Sequence, residues 1–211
     1  MRLTQLRNSP KYCFTDNELE LLLQSQSADS RYSKLKRLIA KGDLIHLRRG
    51  LYCVSDQLGH PLKPHPFELA QYIYGPSYIS LESALSFHQL IPEAVYTVTS
   101  VCSKRSKEFH TPLGQFSYLH LPIENFYLGV ALIKQNGYSF FMAKPWKAIC
   151  DFIYCYKKDW HDLEPLIESM RVDYHALPIL SDIEMEKLTE YYHRSRVSRF
   201  LQGVRKSQEK L

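Results

Sequence analysis

The chain has 211 residues, 45% of them hydrophobic, with a net charge of +5 and a mean hydropathy of −0.32. That balance fits a soluble globular protein of one large or two small domains, and no run approaches the ~18 apolar residues of a membrane span. Residues 1–63 carry 11 Lys and Arg against 6 Asp and Glu, residues 194–211 carry 6 against 1, and residues 64–193 carry 10 against 15, so both ends are basic and one of them is expected to meet a polyanion.

Leu3 and Leu6 suggest a short first helix. Thr15 followed by Glu18 is a capping-box signature, and it opens a helix over about 16–24 with Leu19, Leu22 and Leu23 at helical spacing. After a polar turn, Ser30 is expected to cap a second helix reaching Lys41, with Gly42 as its C-terminal stop. Tyr32, Leu35, Leu38 and Ile39 fall on one face of that helix; Ser30, Ser33, Lys34, Arg37 and Lys41 fall on the other. Residues 44–48 and 51–54 are β-prone, with a glycine-containing turn between them, and predict a hairpin with Arg48 and Arg49 at its tip. Helix, turn, helix and hairpin in that order define a winged helix-turn-helix.

Residues 55–64 read as a linker, which places domains at 1–63 and 64–211. Pro66 starts a helix containing Phe67, Leu69, Ala70 and Ile73. Residues 77–79 form a brief strand, and Ser80 caps a helix over 81–90. Strands follow at 96–103, 115–121, 127–133 and 138–143, with Asn136-Gly137 as a hairpin turn between the last two. Pro145 opens a helix to about 156, and helices at about 161–171, 182–193 and 195–209 complete the chain. The expected class is α+β, an N-terminal winged helix-turn-helix followed by a mixed domain ending in helices.

A recognition helix needs side chains that reach base edges, and arginine or lysine pairs well with guanine. Ser30, Arg31, Ser33, Lys34 and Arg37 are the candidates for that role, with Arg31 at the margin of the face. Lys41 is expected to flank them on a phosphate, and Arg48 and Arg49 to meet phosphates or the minor groove. The basic C-terminal segment, with Arg194, Arg196, Arg199, Arg205 and Lys206, reads as a solvated face. The five cysteines lack a C-x-x-C pair and read as free thiols of a reducing cytoplasm; residues 1–7 lack the apolar core of a secretory leader. No nucleophile elbow, phosphate loop or dinucleotide fingerprint occurs, so no catalytic residue, metal or cofactor is expected. Asp151, Asp159, Asp162, Glu164 and Glu168 read as surface charge, and His88 as a packed histidine.

Residues 41–52, KGDLIHLRRGLY, resemble the wing segment of the AbiEi family of antitoxins from type IV toxin–antitoxin systems. So does PSYISLESALSFHQLI at 76–91, with Gln89 where that family has glycine. FHTPLGQF at 109–116 and AKPWKA at 143–148, continuing to Asp151, extend the similarity over most of 14–155. The resemblance implies a protein that binds inverted repeats of double-stranded DNA in its own promoter, two protomers to a site, and represses its operon. Its C-terminal domain would antagonise a nucleotidyltransferase-like toxin, with no stable complex assumed. The alternative is a solitary winged-helix transcription factor whose C-terminal domain senses a ligand or a protein.

Overall fold

The computed structural model describes residues 3–23, 27–122, 124–173, 176–193 and 196–208. The described residues are mixed α+β with two sheets. Its first part runs α1 (Leu3–Arg7), β1 (Cys13–Thr15), α2 (Asp16–Leu23), α3 (Ala28–Ala40), β2 (Leu44–Arg48) and β3 (Leu51–Val54). The three strands form an antiparallel sheet in the order β1-β3-β2.

The capping box closes in both directions. The Thr15 hydroxyl accepts from Glu18 N at 3.4 Å and the Glu18 carboxylate accepts from Thr15 N at 2.8 Å. Lys11 and Thr15 together hold the Glu18 carboxyl below its ordinary range. The next helix starts earlier than expected, because Ser27 rather than Ser30 is its cap: the Ser27 hydroxyl accepts from Ser30 N at 3.2 Å. Gly42 ends α3 with φ +77°, and Asp43 N and Gly42 N return to the Leu38 and Ile39 carbonyls at 2.9 Å, the bonding of a glycine-terminated helix.

Residues 55–64 are a docked segment. They carry a 3-10 turn at Asp56–Leu58, and the His60 ring lies within hydrogen-bond distance of the Leu62 carbonyl (2.9 Å) and the Ser9 carbonyl (3.1 Å).

The second sheet gathers β4 (Ser77–Ile79), β5 (Thr97–Cys102), β6 (Lys107–Thr111), β7 (Gly114–His120), β8 (Val130–Gln135) and β9 (Tyr138–Ala143) in the order β6-β7-β5-β4-β9-β8. Pairings β5·β7 and β4·β9 are parallel and the rest antiparallel. Strand β6 is absent from the sequence reading. Around this sheet stand α4 (Pro66–Ile73), α5 (Leu81–Phe87), α6 (Pro145–Cys155), α7 (Glu164–Met170), α8 (Asp182–Tyr192) and α9 (Arg196–Gln208). One hydrophobic cluster runs from Leu6 and Phe14 through Tyr78 and Phe140 to Phe200.

Two further expectations change. The α5 helix stops at Phe87, and Gln89 takes φ +59° in the left-handed region, where a side chain costs energy that glycine avoids. Ser80 precedes α5, but its hydroxyl makes no cap; it donates instead to Asp151 Oδ2 at 2.8 Å.

The first sheet is joined to the second through α4. Tyr12 donates its hydroxyl proton to the Glu68 carboxylate, whose other oxygen accepts from Ser139 N at 2.9 Å. Tyr12 also lies edge-on to Tyr72 and Tyr138, at 6.3 and 6.5 Å between centroids.

Candidate nucleic-acid interface

The orientation of α3 is fixed by its apolar residues. Leu35 is buried and Leu38 partly so, which turns Ser33, Lys36 and Arg37 to solvent. Arg37 lies one turn beyond Ser33, and its Nε donates to the Ser33 carbonyl at 3.3 Å. Tyr32 departs from the expected pattern: it is 70% exposed, and Ile39 is also exposed. The outward face of α3 therefore includes Tyr32 and Lys36, neither of which sequence reasoning assigned to it. Both follow from rotating the helix so that Leu35 and Leu38 alone point inward, since Tyr32 then sits at the margin.

The remaining residues divide into outward and engaged groups. Lys41 is exposed at the end of α3. Arg31 is half-buried and ion-paired with Glu20 of α2, so it sets the two helices against one another. Ser30 and Lys34 are half-buried.

At the hairpin, Arg48 closes β2 opposite Leu51 after an irregularity in register between His46 and Arg48. The turn is Arg49-Gly50, with Gly50 at φ +75°. Arg49 is exposed. Arg48 turns back: its Nε donates to the Ile73 carbonyl at the end of α4 at 2.5 Å, and a terminal nitrogen donates to the Arg49 carbonyl at 2.9 Å. The Gly50 carbonyl accepts from Asp16 N at 3.3 Å, which ties the tip to the start of α2. Tyr52 of β3 lies beside Asp16, and burial with that carboxylate raises its phenol above the ordinary value.

The basic C-terminal face is partly neutralised. Arg199 pairs with Asp159 at 3.1 Å, while Arg196 and Lys206 are exposed. Arg194 lies outside the described residues.

A second group of charges lies in the larger unit. Lys147 and Asp151 are 0% exposed and pair at 2.6 Å one turn apart on α6. Asp151 also accepts from the hydroxyls of Tyr78 (3.0 Å), Ser80 (2.8 Å) and Tyr192 (2.6 Å), and Lys147 donates to Tyr192 at 2.7 Å. The ammonium faces the rings of Tyr191 and Tyr192 at 4.4 and 4.8 Å. Burial first, and the Asp151 charge second, push the Tyr78 and Tyr192 phenols far above their ordinary value, so both remain donors. Asp151 is thus no surface carboxylate. Asp159, Glu164 and Glu168 are exposed, and Asp162 accepts from Glu164 N at 3.0 Å. With every partner satisfied and no solvent reaching it, the Lys147–Asp151 group fastens α8 and β4 to α6. Among the described residues no group of three or more His, Cys, Asp or Glu could hold a metal ion. None of the described helices is long and apolar enough to cross a membrane.

No protein-family model matches the chain, and no curated protein matches it. The α3–hairpin region itself offers outward cations, the outward Tyr32 ring and an arginine-tipped hairpin within one small sheet-and-helix frame.

Proposed function

We propose that the chain is a DNA-binding transcriptional regulator whose residues 1–63 form a winged helix-turn-helix. In this reading α3 enters the major groove and the β2–β3 hairpin is the wing. The observation that supports it best is the order of elements around α3: a helix with Ser33, Lys36 and Arg37 outward and Leu35 inward, followed at once by a hairpin with Arg49 exposed at its turn. Guanidinium and ammonium heads fit guanine edges and phosphates, and an outward ring such as Tyr32 can pack on a thymine methyl. The phosphate role at the tip belongs to Arg49, because the Arg48 guanidinium is occupied within the chain. Arg31 supports the site by holding α2 to α3. Ser30 and Lys34, half-buried, border the reading face, and Lys41 flanks it on the backbone.

The resemblance to AbiEi antitoxins extends this reading. The DNA would be inverted repeats in the chain's own promoter, occupied by two protomers. Residues 64–211 would antagonise a nucleotidyltransferase-like toxin in the cytoplasm, without a catalytic step, a cofactor or a lasting complex.

The test is competition binding of the full chain to a duplex from the region upstream of its own gene and to a scrambled duplex of equal length. The wild type should prefer the upstream duplex. Arg37→Ala should lose about 1–3 kcal/mol of that preference, roughly 5- to 150-fold. Equal affinity for both duplexes, or an unchanged preference in the variant, contradicts the proposal.

A further inference from the structure

Cys13 on β1 and Cys53 on β3 stand directly opposite one another in the N-terminal sheet. Val54 N donates to the Tyr12 carbonyl at 2.9 Å, which makes the adjacent Cys13–Cys53 position a non-hydrogen-bonded pair. In such pairs the opposed Cα atoms approach to ~4.5 Å and the side chains are closest. The two Sγ atoms are 3.2 Å apart, and the residues are 2% and 0% exposed. A disulfide spans Cα separations of ~4.4–6.8 Å, so a small sulfur movement closes the bond without displacing either strand. The other thiols are placed differently: Cys102 Sγ donates to the Lys104 carbonyl at 3.1 Å, and Cys150 is enclosed on α6.

We propose that Cys13 and Cys53 are a reversible oxidative modification site, at which a hydroperoxide converts the two thiols into one cross-strand disulfide. The first sulfur, as thiolate, attacks an oxygen of hydrogen peroxide. The O–O bond breaks, and the departing hydroxide takes up a proton to leave as water. The second sulfur, as thiolate, attacks the resulting sulfenic acid, forms the S–S bond and expels hydroxide, which takes up the second thiol proton and leaves as water. Two electrons pass from the cysteine pair to the peroxide, and the two thiol protons end in water. A dithiol reductant reverses the change.

Hydrogen bonding to the Cys53 sulfur, and then burial, push the Cys13 thiol well above its ordinary range. In the closed sheet the pair therefore reacts slowly. Strand β1 is an edge strand of three residues, and its local opening exposes both sulfurs at once. The bonded residues lie 40 positions apart with α2, α3 and β2 between them. Oxidation thus ties that whole segment into a covalent loop. The site does not depend on DNA binding.

The test treats the full chain with hydrogen peroxide, alkylates it under denaturing conditions and maps the peptides by mass. The expected product is two hydrogens lighter, joins the Cys13 and Cys53 peptides, returns to the dithiol form with dithiothreitol and melts roughly 5–10 °C higher. Cys13→Ser should give no such product, whereas Cys102→Ala should behave as the wild type. If Cys13→Ser fails to fold, peptide mapping of the wild type decides alone. Sulfinic or sulfonic acid at either residue without a crosslink, a crosslink between other cysteines, or two intact thiols after the peroxide is consumed would overturn the proposal.

Discussion

The α3–hairpin region and the centre of the larger unit place the same kinds of charge in opposite surroundings. Lys36, Arg37, Lys41 and Arg49 stand in water; Lys147 is sealed among Asp151, Tyr191 and Tyr192. An exposed cation keeps its hydration and costs the fold little, so it is available to displace the counterions condensed on a polyanion. A buried cation has lost that hydration and must find every partner inside the protein. Sequence composition counts both kinds alike, and only burial separates a binding surface from a fastening. Arg48 and Arg49 repeat the contrast between neighbours, one guanidinium held on the Ile73 carbonyl and the other outward.

The contrast breaks most visibly at Asp151. Asp151→Ala leaves the Lys147 ammonium buried without its counter-charge, and the expected loss of stability is about 3–5 kcal/mol, measured by urea unfolding. A loss below about 1 kcal/mol would mean that the pair is solvated and the fastening role is wrong. Arg48→Ala comes next. It removes a charged donor from the junction of the hairpin with α4, which should lower stability by about 1.5–3 kcal/mol. The salt dependence of DNA binding should stay as in the wild type; a flattened salt slope would place Arg48 on a phosphate instead. The smallest effect is a gain. Gln89→Gly relieves a left-handed backbone at a non-glycine residue and should stabilise the chain by up to about 1 kcal/mol, with DNA affinity unchanged. A lower melting temperature in this variant would show that the Gln89 side chain contributes more than its backbone costs.

Much of the fold was legible because its signals are local. The hairpin at 44–54 follows from two β-prone runs around a turn glycine, and Asn136-Gly137 marks the β8–β9 turn, where both residues have positive φ. The capping box at Thr15 places the start of α2; at α8 the Ser181 hydroxyl likewise accepts from Glu184 N at 3.3 Å.

What escaped the sequence depends on tertiary partners. Strand β6, Lys-Glu-Phe-His-Thr, is a charged edge strand that exists by pairing with β7, and its composition hides it. Ser27 and Ser30 both lie at plausible cap positions, and composition alone does not choose between them. The Lys147–Asp151 spacing looks like a surface ion pair. The signal that could have corrected it was the rest of α6, where Trp146, Ile149, Phe152 and Ile153 leave no polar face. Of the candidate interface, the helix and hairpin were legible and their outward residues only partly so. Helical spacing places Tyr32 inward, and nothing in Arg-Arg-Gly distinguishes a guanidinium turned to α4 from one turned to solvent, so Arg48 and Arg49 look alike.

The proposed binding of DNA by the α3 face and the hairpin tip is checked by the salt dependence of duplex binding by the full chain. With Arg37 on a base, the outward cations Lys36, Lys41 and Arg49 remain for phosphates and predict a slope of log K against log salt of about −3 per bound protomer. Arg49→Ala should flatten it by about one unit with little change in sequence preference. A slope near zero, or a wild-type slope in the Arg49→Ala variant, would contradict DNA binding through this face.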